Sequence, residues 1–457
     1  MLSEALAAAP GLPSHELSTA RVASLIDEAI ARFDVGGRRV LVLVPDRTRT
    51  GPIAALRPLV SRALDRNGAA GVTWLIALGT HRPLRRDELE DHLGVLIDPA
   101  GRTPDGEVVV NHAFHAAEDL TEVGTLAGET LAGLSGGFFR APVPVRINAQ
   151  VLSHDLLIVL GPVFPHEVVG FSGGNKYLFP GISGPEMIDV SHWLGALITS
   201  REIIGRLGTT PVRALIDAAA RTVPIERRCL AFVVAPHSGG AGERGARGIL
   251  GLFSGTCEHS WEAAASLAAK VHVRRLAAPV RRVVAVIPER YEDLWTAGKG
   301  MYKLEPVVAD GGEVVLYAPH LRAVSRMHGE AIRRVGYHGR DYILAHFDEL
   351  AEVPLGVLAH STHVHGQGTY DPVARTERAR VRVTLASGLG PAACAAINLA
   401  YADPATIDLD ALAADPDTLV VPDAGEQLYR LSGEPDHLPP NATLFASIAA
   451  LRGAGGD

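Results

Sequence analysis

Strand-like and helical patterns alternate along the chain, and this alternation limits the fold more than any other feature of the sequence. Amphipathic helices are predicted over 19–33 and 53–67, and each is followed by a short apolar run typical of a buried strand, at 39–44 and 72–77. Strands that alternate with helices pair in parallel. The sequence therefore predicts an α/β fold with mostly parallel sheets.

The length of the chain predicts two domains. At 457 residues it exceeds what one hydrophobic core usually serves. Further strands are predicted at 156–160, 230–235, 283–287, 313–318, 355–359, 381–385 and 418–421, and further helices at 185–197 and 211–221. Segment 273–282 is interpreted as a linker. We expect an N-terminal catalytic, cofactor-binding α/β domain over 1–272, a second α/β domain over 283–415, a possible return of 416–457 to the first domain, and an active-site cleft between the two domains.

The composition argues against several classes of partner. A net charge of -8 provides no basic field for nucleic acid. Residues 1–18 lack the charged start of a signal peptide, and no run of about 18 uncharged apolar residues predicts a membrane span, so we expect a cytoplasmic protein. Cys229, Cys257 and Cys394 are odd in number and far apart in sequence, which favours buried free thiols. The oligomeric state stays open.

Lysine is rare in this chain. Only four of its 43 basic residues are lysines, Lys176, Lys270, Lys299 and Lys303. A lysine kept in an arginine-rich chain indicates a need for a compact ammonium or a nucleophilic amine, which arginine cannot supply. Chance retention is an equally open explanation for each of them.

Polar residues follow the first two predicted strands. In Asp46-Arg-Thr-Arg49, Arg49 can hold a carboxylate through two hydrogen bonds, while Asp46 orients it or contacts a ribose hydroxyl. In Gly79-Thr-His81-Arg82, His81 can take and return protons near neutral pH. The alternative for the first motif is a solvated turn with a surface ion pair. The alternative for His81 is a purely structural histidine.

Segment 161–185 has the most unusual composition. Ser172-Gly173-Gly174 can point successive backbone N–H groups at a phosphate, although it matches neither a Walker loop nor the dinucleotide fingerprint. The helix predicted to begin at Pro185 places His192 about two turns in, on a rigid element suited to a metal ligand. The alternative interpretation is structural: the glycines form tight turns, and His192 is packed in the protein interior without binding a metal.

The second predicted domain carries two further motifs. In Trp295-Thr296-Ala-Gly-Lys299-Gly, glycines on both sides of the lysine permit a ligand to approach the backbone. His360, His363 and His365 follow the predicted strand 355–359 at strand-like spacing. A zinc hydrolase is disfavoured, because no glutamate stands at metalloprotease spacing from these histidines.

Together these segments resemble the lactate racemase family over most of 40–305. The family pattern reads DxTR, GxHR and PHxxxGxSGGxK followed by a metal-binding histidine. The corresponding residues here are Asp46 to Arg49, Gly79 to Arg82, Pro165 to Lys176, and His192. The ten-residue step from His166 to Lys176 and the sixteen-residue step from Lys176 to His192 agree with the family spacing.

The resemblance implies a nickel-pincer nucleotide, a pyridinium mononucleotide whose two sulfur arms and ring carbon hold nickel in a square plane. His192 would be the fourth ligand, and imidazole with soft sulfur suits planar nickel(II). Lys176 would tether the cofactor through a thioamide. Asp46, Thr48 and the loop of Ser172, Gly173 and Gly174 would bind the rest of it.

The resemblance also implies a reaction, the inversion of C2 of a 2-hydroxy acid by a hydride shuttle through a transient 2-keto acid. His81 and His166 would form the acid/base pair. Arg49 and Lys299 would grip the substrate carboxylate and polarise its oxygen. The implied partners are a small 2-hydroxy acid and the proteins that make the cofactor.

One departure from the family pattern concerns substrate choice. The family has Tyr-Gln-x-x-Lys where this chain has Trp295-Thr296-Ala-Gly-Lys299, so these two residues are expected to reshape the substrate pocket. We expect lactate to be a poor substrate and a larger or more polar acid, such as a dicarboxylic or sugar acid, to be preferred. The segment of His360, His363 and His365 is a candidate source of additional donors.

Two other functions stay open at this point. A nicotinamide-dependent oxidoreductase is disfavoured, because no G-x-G-x-x-G follows the first predicted strand. A non-catalytic carrier of the nickel cofactor would use the same binding residues. That second function would be favoured if His81 and His166 lay far apart or faced away from the Lys176 loop.

Overall fold

The computed structural model describes residues 15–236 and 247–446, and its first sheet has six strands. From edge to edge they are Ile249–Gly255, Glu226–Val234, Leu156–Pro162, Arg39–Pro45, Gly71–Ala77 and Val108–Asn111. All neighbours pair in parallel except Ile249–Gly255, which runs antiparallel to Glu226–Val234. The predicted mostly parallel α/β fold is confirmed.

Helices cover the first sheet, and this explains why its central strands are uninterrupted apolar runs. Residues 40–45 and 156–162 are buried throughout, as expected for strands covered on both faces. The helices of this part of the chain are Thr19–Arg32, Ile53–Arg66, Arg86–Leu93, Gly128–Leu134, Pro185–Ile198, Ser200–Ile203, Pro211–Ala220 and Cys257–His272. Short 3-10 helices lie at Ala117–Asp119, Ala149–Ser153 and Gly174–Tyr177.

A second sheet has five strands, all parallel to their neighbours. In order they are Ala400–Ala402, Arg382–Ser387, Val308–Ala318, Val280–Val286 and Thr418–Val421. Its helices are Leu294–Ala297, Lys299–Tyr302, Gly329–Val335, Arg340–Ala345, Leu355–His365, Pro391–Ala395, Leu409–Ala414 and Asn441–Leu444, with 3-10 turns at Glu305–Val307 and Pro404–Thr406. Among the described residues, no helix is both long and apolar enough to cross a membrane.

Three antiparallel strand pairs lie outside the two sheets. They join Leu120–Leu126 to Val143–Asn148, Gly368–Asp371 to Thr376–Ala379, and Pro165–His166 to Gly170–Phe171. The last pair folds back the segment that carries His166. Residues 1–14, on which most of the signal-peptide expectation rests, lie outside the described residues.

The strand predicted at 355–359 is wrong. These residues begin the helix Leu355–His365, so His360, His363 and His365 have helical rather than strand-like spacing. Every residue from Gly356 to His365 is buried. A helix buried on all sides has no polar face, so its sequence shows no 3.6-residue period and resembles a buried strand.

Two expectations about the chain between and after the sheets are wrong in part. Thr418–Val421 extends the second sheet beside Val280–Val286, whereas later residues of the predicted return 416–457 do contact the N-terminal part, where Arg430 donates to the carbonyl of Ile204. Most of the predicted linker 273–282 is regular structure, since Val273–Leu276 pairs in parallel with Leu428–Leu431 and the next strand begins at Val280. Short edge strands of this kind are defined by distant partners that the local sequence does not reveal.

The segment after the second sheet ties the two parts of the molecule together. The buried Glu426 accepts hydrogen bonds from the backbone N–H and hydroxyl of Thr50 and pairs with Arg247. Lys303, which follows the helix Lys299–Tyr302, donates to the carbonyl of Glu426 at 3.0 Å. One short segment thus holds the end of the first sheet against the helices of the second.

Candidate active site

One cleft collects the polar segments that follow three neighbouring strands of the first sheet. The strands Arg39–Pro45, Gly71–Ala77 and Leu156–Pro162 are adjacent and parallel, so their carboxyl ends meet at one edge, where ligands bind in open α/β sheets. Including the space open to solvent, the cleft has an empty volume of about 970 Å³.

The cleft has two faces. The first-sheet face is formed by Asp46, Thr48, Arg49, His81, His166, Glu167, Ser172, Gly173, Lys176 and His192. The second-sheet face is formed by Trp295, Lys299, Tyr302, Gly356, His360 and His363. The two faces are in direct contact behind the cleft, where the N–H of Gly356 donates to the Asp189 carboxylate at 2.8 Å.

Asp46 orients His81. Its Oδ1 accepts from the Thr48 N–H at 3.1 Å and the Thr48 hydroxyl at 2.7 Å, and its Oδ2 is hydrogen-bonded to Nδ1 of His81. Burial raises the pKa of Asp46, but the contacts with His81, Lys299 and Thr48 outweigh it and hold that pKa well below its usual range. Because Asp46 is ionised, Nδ1 of His81 donates, and Nε2 has a free lone pair in the neutral ring.

His166 is held in the opposite tautomer. The backbone N–H of Val168 donates to its Nδ1 at 3.1 Å, so the neutral ring carries its proton on Nε2. Burial, together with the positive charges of Lys176 and Arg49, holds the pKa of His166 well below its usual value. At Nε2 the two histidines thus offer one proton acceptor and one proton donor to the same cleft.

Arg49 and Lys299 form a cationic pair inside the cleft. Burial lowers the pKa of Arg49, but Glu167 and neighbouring groups outweigh it, and the guanidinium stays charged. The Lys299 ammonium is buried without a hydrogen-bond partner among the described residues. Burial and the charge of Arg49 lower the pKa of Lys299 to about 8. An anion between the two side chains would supply the missing partner.

His192 has the geometry of a ligand with one nitrogen free. Its Nδ1 donates to the carbonyl of Ile188 at 2.6 Å, which fixes the ring and leaves the Nε2 lone pair available. Burial lowers the pKa of His192 to about 4, so the ring is neutral. Within 15–236 and 247–446, no group of three or more His, Cys, Asp or Glu side chains is arranged to hold a metal ion.

Lys176 lies on the same face with a weakly basic amine. Burial, followed by the charge of Arg49, lowers its pKa to about 7. A large share of this amine is therefore neutral and nucleophilic at neutral pH. The amine suits the covalent tether that the family resemblance implies.

The loop before Lys176 requires glycine at two positions. Gly173 and Gly174 have φ values of 94° and 58°, and a Cβ would come within 2.6 Å of Val163 and 2.8 Å of Trp261, respectively. The Ser172 hydroxyl accepts from the N–H of Phe164 at 3.0 Å. Ser172 and Gly173 line the cleft, whereas Gly174 lies behind them against Trp261.

Trp295 and Thr296 differ in where they lie. Trp295 lines the cleft, and its ring stacks on His360 with centroids 4.0 Å apart. Thr296 does not line the cleft, because its hydroxyl and N–H both bond to Asp293 at the start of the helix Leu294–Ala297. The structure thus brings eleven of the thirteen residues expected at the site into one cleft and leaves out Gly174 and Thr296.

Sequence reasoning missed Glu167 and gave His363 no role of its own. Glu167 is buried, its Oε2 has no hydrogen-bond partner among the described residues, and Arg49 helps to hold its pKa at about 2 although burial raises it. Both ring nitrogens of His363 are buried without a partner in the same part of the chain. The sequence signal for Glu167 was a carboxylate in an otherwise apolar stretch beside His166. The position of His363 could be inferred only once Leu355–His365 was known to be a helix.

Comparisons with known proteins agree on one family. The family model described as "Lactate racemase N-terminal domain" matches residues 20–205. The chain is 29% identical over 188 residues to the lactate racemase of Thermoanaerobacterium thermosaccharolyticum and 28% identical over 208 residues to that of Lactiplantibacillus plantarum. These alignments cover 41% and 45% of this chain but only 40% and 43% of the two relatives.

Solved structures match most of the chain. A crystal structure of a Thermotoga maritima protein superimposes with a TM-score of 0.83 at 30% identity, covering 92% of this chain and all of that one. The lactate racemase apoprotein from T. thermosaccharolyticum superimposes with a TM-score of 0.66 over 90% of this chain and 93% of that one. At 19% identity, the second match shows the fold alone. Residues 20–205 thus match the N-terminal domain of the lactate racemase family, and the alignments span less than half of the two relatives.

Proposed function

We propose that this protein is a racemase or epimerase that inverts C2 of a 2-hydroxy acid. The observation that carries the proposal is the placement of His81 and His166, in opposite tautomers, in one cleft with the cation pair of Arg49 and Lys299. Inversion requires a proton acceptor and a proton donor within reach of one hydroxyl group. A cation pair is suited to hold the carboxylate beside it.

The residues of the first-sheet face fit a nickel-pincer nucleotide. His192 would ligate nickel through the free Nε2, and Lys176 would form the tether through its neutral amine. Ser172, Gly173, Asp46 and Thr48 line the space beside them. When bound, this group supplies an acceptor that takes hydride from C2 and returns it. Loading is expected to depend on the proteins that make the cofactor.

The chain itself performs the proton transfer and holds the substrate. Arg49 and Lys299 bind the carboxylate and fix the orientation of C2. His81 takes the hydroxyl proton at Nε2, and the Asp46 carboxylate stabilises the resulting imidazolium. His166, whose neutral ring carries its proton on Nε2, donates a hydrogen bond to the same oxygen and polarises it. The proton held by His81 returns to this oxygen when the hydride returns to C2. Loss of the hydroxyl proton and of hydride from C2 would leave the substrate as a 2-keto acid.

The two other functions are less well supported. The first strand of the sheet is followed by Pro45-Asp46-Arg47 rather than by a glycine-rich turn, so the usual dinucleotide cradle of an oxidoreductase is missing at this position. A non-catalytic carrier would require His192 and Lys176 but not an aspartate that orients His81. The shared cleft of His81, His166 and Lys176 also removes the condition that would have favoured a carrier.

The test uses protein produced together with the enzymes that make the pincer cofactor. A chiral assay should show inversion of 2-hydroxy acids, and a substrate deuterated at C2 should keep its deuterium in ordinary water. Washout of the label into solvent would contradict the hydride mechanism. Absence of inversion in protein with a full complement of nickel would contradict the function.

Nickel content provides a second readout that does not depend on activity. His192→Ala should lose bound nickel, whereas His259→Ala, a change at an exposed histidine that does not line the cleft, should retain it. Lys176→Ala should abolish any covalent adduct seen by mass spectrometry. Full nickel occupancy in His192→Ala would contradict the proposed metal ligand.

A further inference from the structure

His363 is a buried polar side chain in the cleft without a hydrogen-bond partner among the described residues. It is 3% exposed, it lines the cleft, and neither ring nitrogen has a hydrogen-bond partner among the described residues. Leaving a buried polar group without a partner costs about 1 to 3 kcal/mol. A ligand that bonds to this ring would remove that cost.

His360, one helical turn earlier, points to the same kind of ligand. Its Nε2 donates to the carbonyl of Trp295 at 3.0 Å, so its Nδ1 is a lone-pair acceptor, and this atom is also buried without a partner. Trp295 stacks on the His360 ring and fixes its orientation. The helix Leu355–His365 therefore presents two ordered imidazoles with three unused nitrogen atoms.

Glu167 lines the same cleft on the first-sheet face, where its Oε2 lies 3.4 Å from Nδ1 of His166. Among the electrostatic neighbours of His363, the Glu167 carboxylate has the largest effect, and its Oε2 has no hydrogen-bond partner among the described residues. An ionised carboxylate accepts hydrogen bonds from a hydroxyl group and repels a second carboxylate. A neutral imidazole both donates and accepts, which also matches a hydroxyl group.

We infer that His363 and Glu167 bind a hydroxyl group of the substrate beyond C2, so that the preferred substrates are polyhydroxylated 2-hydroxy acids of the sugar-acid class. The inference rests on the proposed function. Arg49 and Lys299 are assigned to the reacting carboxylate, and Lys176, the only other lysine or arginine among the described residues that line the cleft, is the proposed tether. Dicarboxylic acids are therefore disfavoured.

Three acids that differ by one group at C3 test this inference. They are lactate, 2,3-dihydroxypropanoate and malate, which carry hydrogen, hydroxyl and carboxylate, respectively, at that carbon. 2,3,4-trihydroxybutanoate extends the series. In nickel-loaded wild-type protein, the hydroxylated acids should exceed lactate in kcat/KM for C2 inversion by about ten- to a hundredfold, and malate should be the poorest.

Variants at His363 identify the residue responsible. His363→Leu should bring the ratio of 2,3-dihydroxypropanoate to lactate close to one, whereas His363→Gln, which keeps a donor and an acceptor, should retain most of it. His365→Gln on the same helix is the matched control, because His365 lies outside the cleft beside Glu377. A merely structural defect would lower activity toward all acids together and leave the ratio unchanged.

The possible outcomes separate this inference from the proposed function. Inversion with lactate or malate preferred in the wild type would overturn the inference and leave the function standing. An unchanged ratio in His363→Leu would overturn it as well. Loss of nickel in His363→Leu would assign the ring to the cofactor and overturn its role toward substrate. Failure of the nickel-loaded wild type to invert any acid would overturn both.

Discussion

The two faces of the cleft differ in how their polar side chains are held. On the first-sheet face, His81, His166 and His192 each have one ring nitrogen bonded to another part of the chain. On the second-sheet face, the Lys299 ammonium and both nitrogens of His363 have no hydrogen-bond partner among the described residues. The imidazoles of the first face are thus fixed without a ligand, although Oε2 of Glu167 has no hydrogen-bond partner in the described chain, whereas no hydrogen bond within it fixes His363 on the second face.

This difference indicates a division of labour between reaction and recognition. Proton transfer requires tautomers and ring orientations that are fixed before the substrate binds, and hydrogen bonds from Asp46, Val168 and Ile188 supply that order. Recognition uses polar atoms that have no hydrogen-bond partner until the correct substrate binds. A substrate without the matching group leaves these atoms buried and unbonded, which weakens its binding. The family model matches 20–205, which carries the first-sheet face alone.

Removing either histidine of the acid/base pair should have the largest effect. His81→Asn and His166→Asn should each lower the rate of inversion by about 10³-fold, because one removes the proton acceptor and the other the hydrogen-bond donor at the same hydroxyl oxygen. The measurement is a chiral assay with both enantiomers of the best substrate. If inversion in either variant stayed within tenfold of the wild-type rate, the first-sheet face would not carry the reaction.

Removing the group that orients His81 should have the next largest effect. Asp46→Asn should lower kcat by about 10²-fold and leave KM within a few-fold, because the substrate binds elsewhere but the His81 tautomer is no longer fixed. Asp46→Glu should restore part of kcat. Equal losses in kcat for the Asn and Glu variants would indicate a structural role for Asp46 rather than a positioning one.

The sequence predicted the first-sheet face better than the second, and the reason is physical. Asp46, His81 and His166 follow buried parallel strands, and parallel strands place the residues after their carboxyl ends at one edge regardless of the details of packing. The catalytic geometry was therefore implicit in the order of the strands. The sequence could not predict the tautomer of each ring. The tautomers depend on hydrogen bonds from the Val168 N–H to His166 and from His81 to the Asp46 carboxylate, which form only in the folded chain.

The second-sheet face depends on information that is not local. The helix Leu355–His365 was predicted to begin as a strand, because an element buried on all sides has no amphipathic period. Once it is known to be a helix, His360 and His363 lie one turn apart and face Trp295 and Glu167. Thr296 was expected in the pocket because it is next to Trp295, but adjacent helical residues do not face the same way.

A third prediction concerns the segment that fixes the two faces relative to each other. Burial raises the pKa of Glu426, but Arg247, Arg290, Thr50 and Lys303 outweigh it and hold that pKa at about 2. The unfolded value is about 4.3. Because the folded pKa is the lower one, the stabilisation is present above about pH 4.3 and is lost as the pH falls toward 2.

Glu426→Gln should therefore lower the free energy of unfolding at pH 7 by about 2 to 3 kcal/mol and flatten its decline between pH 5 and pH 2. Denaturant unfolding at a series of pH values measures both effects. Glu434→Gln is a control for charge removal, because its carboxylate is partly exposed on the same segment. An unchanged pH dependence in Glu426→Gln would mean that Glu426 does not couple the two faces.

The smallest expected effect comes from a pair of neighbours on the second-sheet face, and it separates recognition from stability at single-residue resolution. Trp295→Tyr should shift the preference between lactate and the hydroxylated acids by about tenfold, because it changes the cleft wall and removes the stack that orders His360. Thr296→Val should leave this preference unchanged and lower only the thermal midpoint, because its hydroxyl bonds to Asp293 behind the cleft. Competition between two acids in one reaction measures the preference directly. If Thr296→Val changed the preference as much as Trp295→Tyr, selectivity would depend on how firmly the start of the helix Leu294–Ala297 is held rather than on which side chains face the substrate.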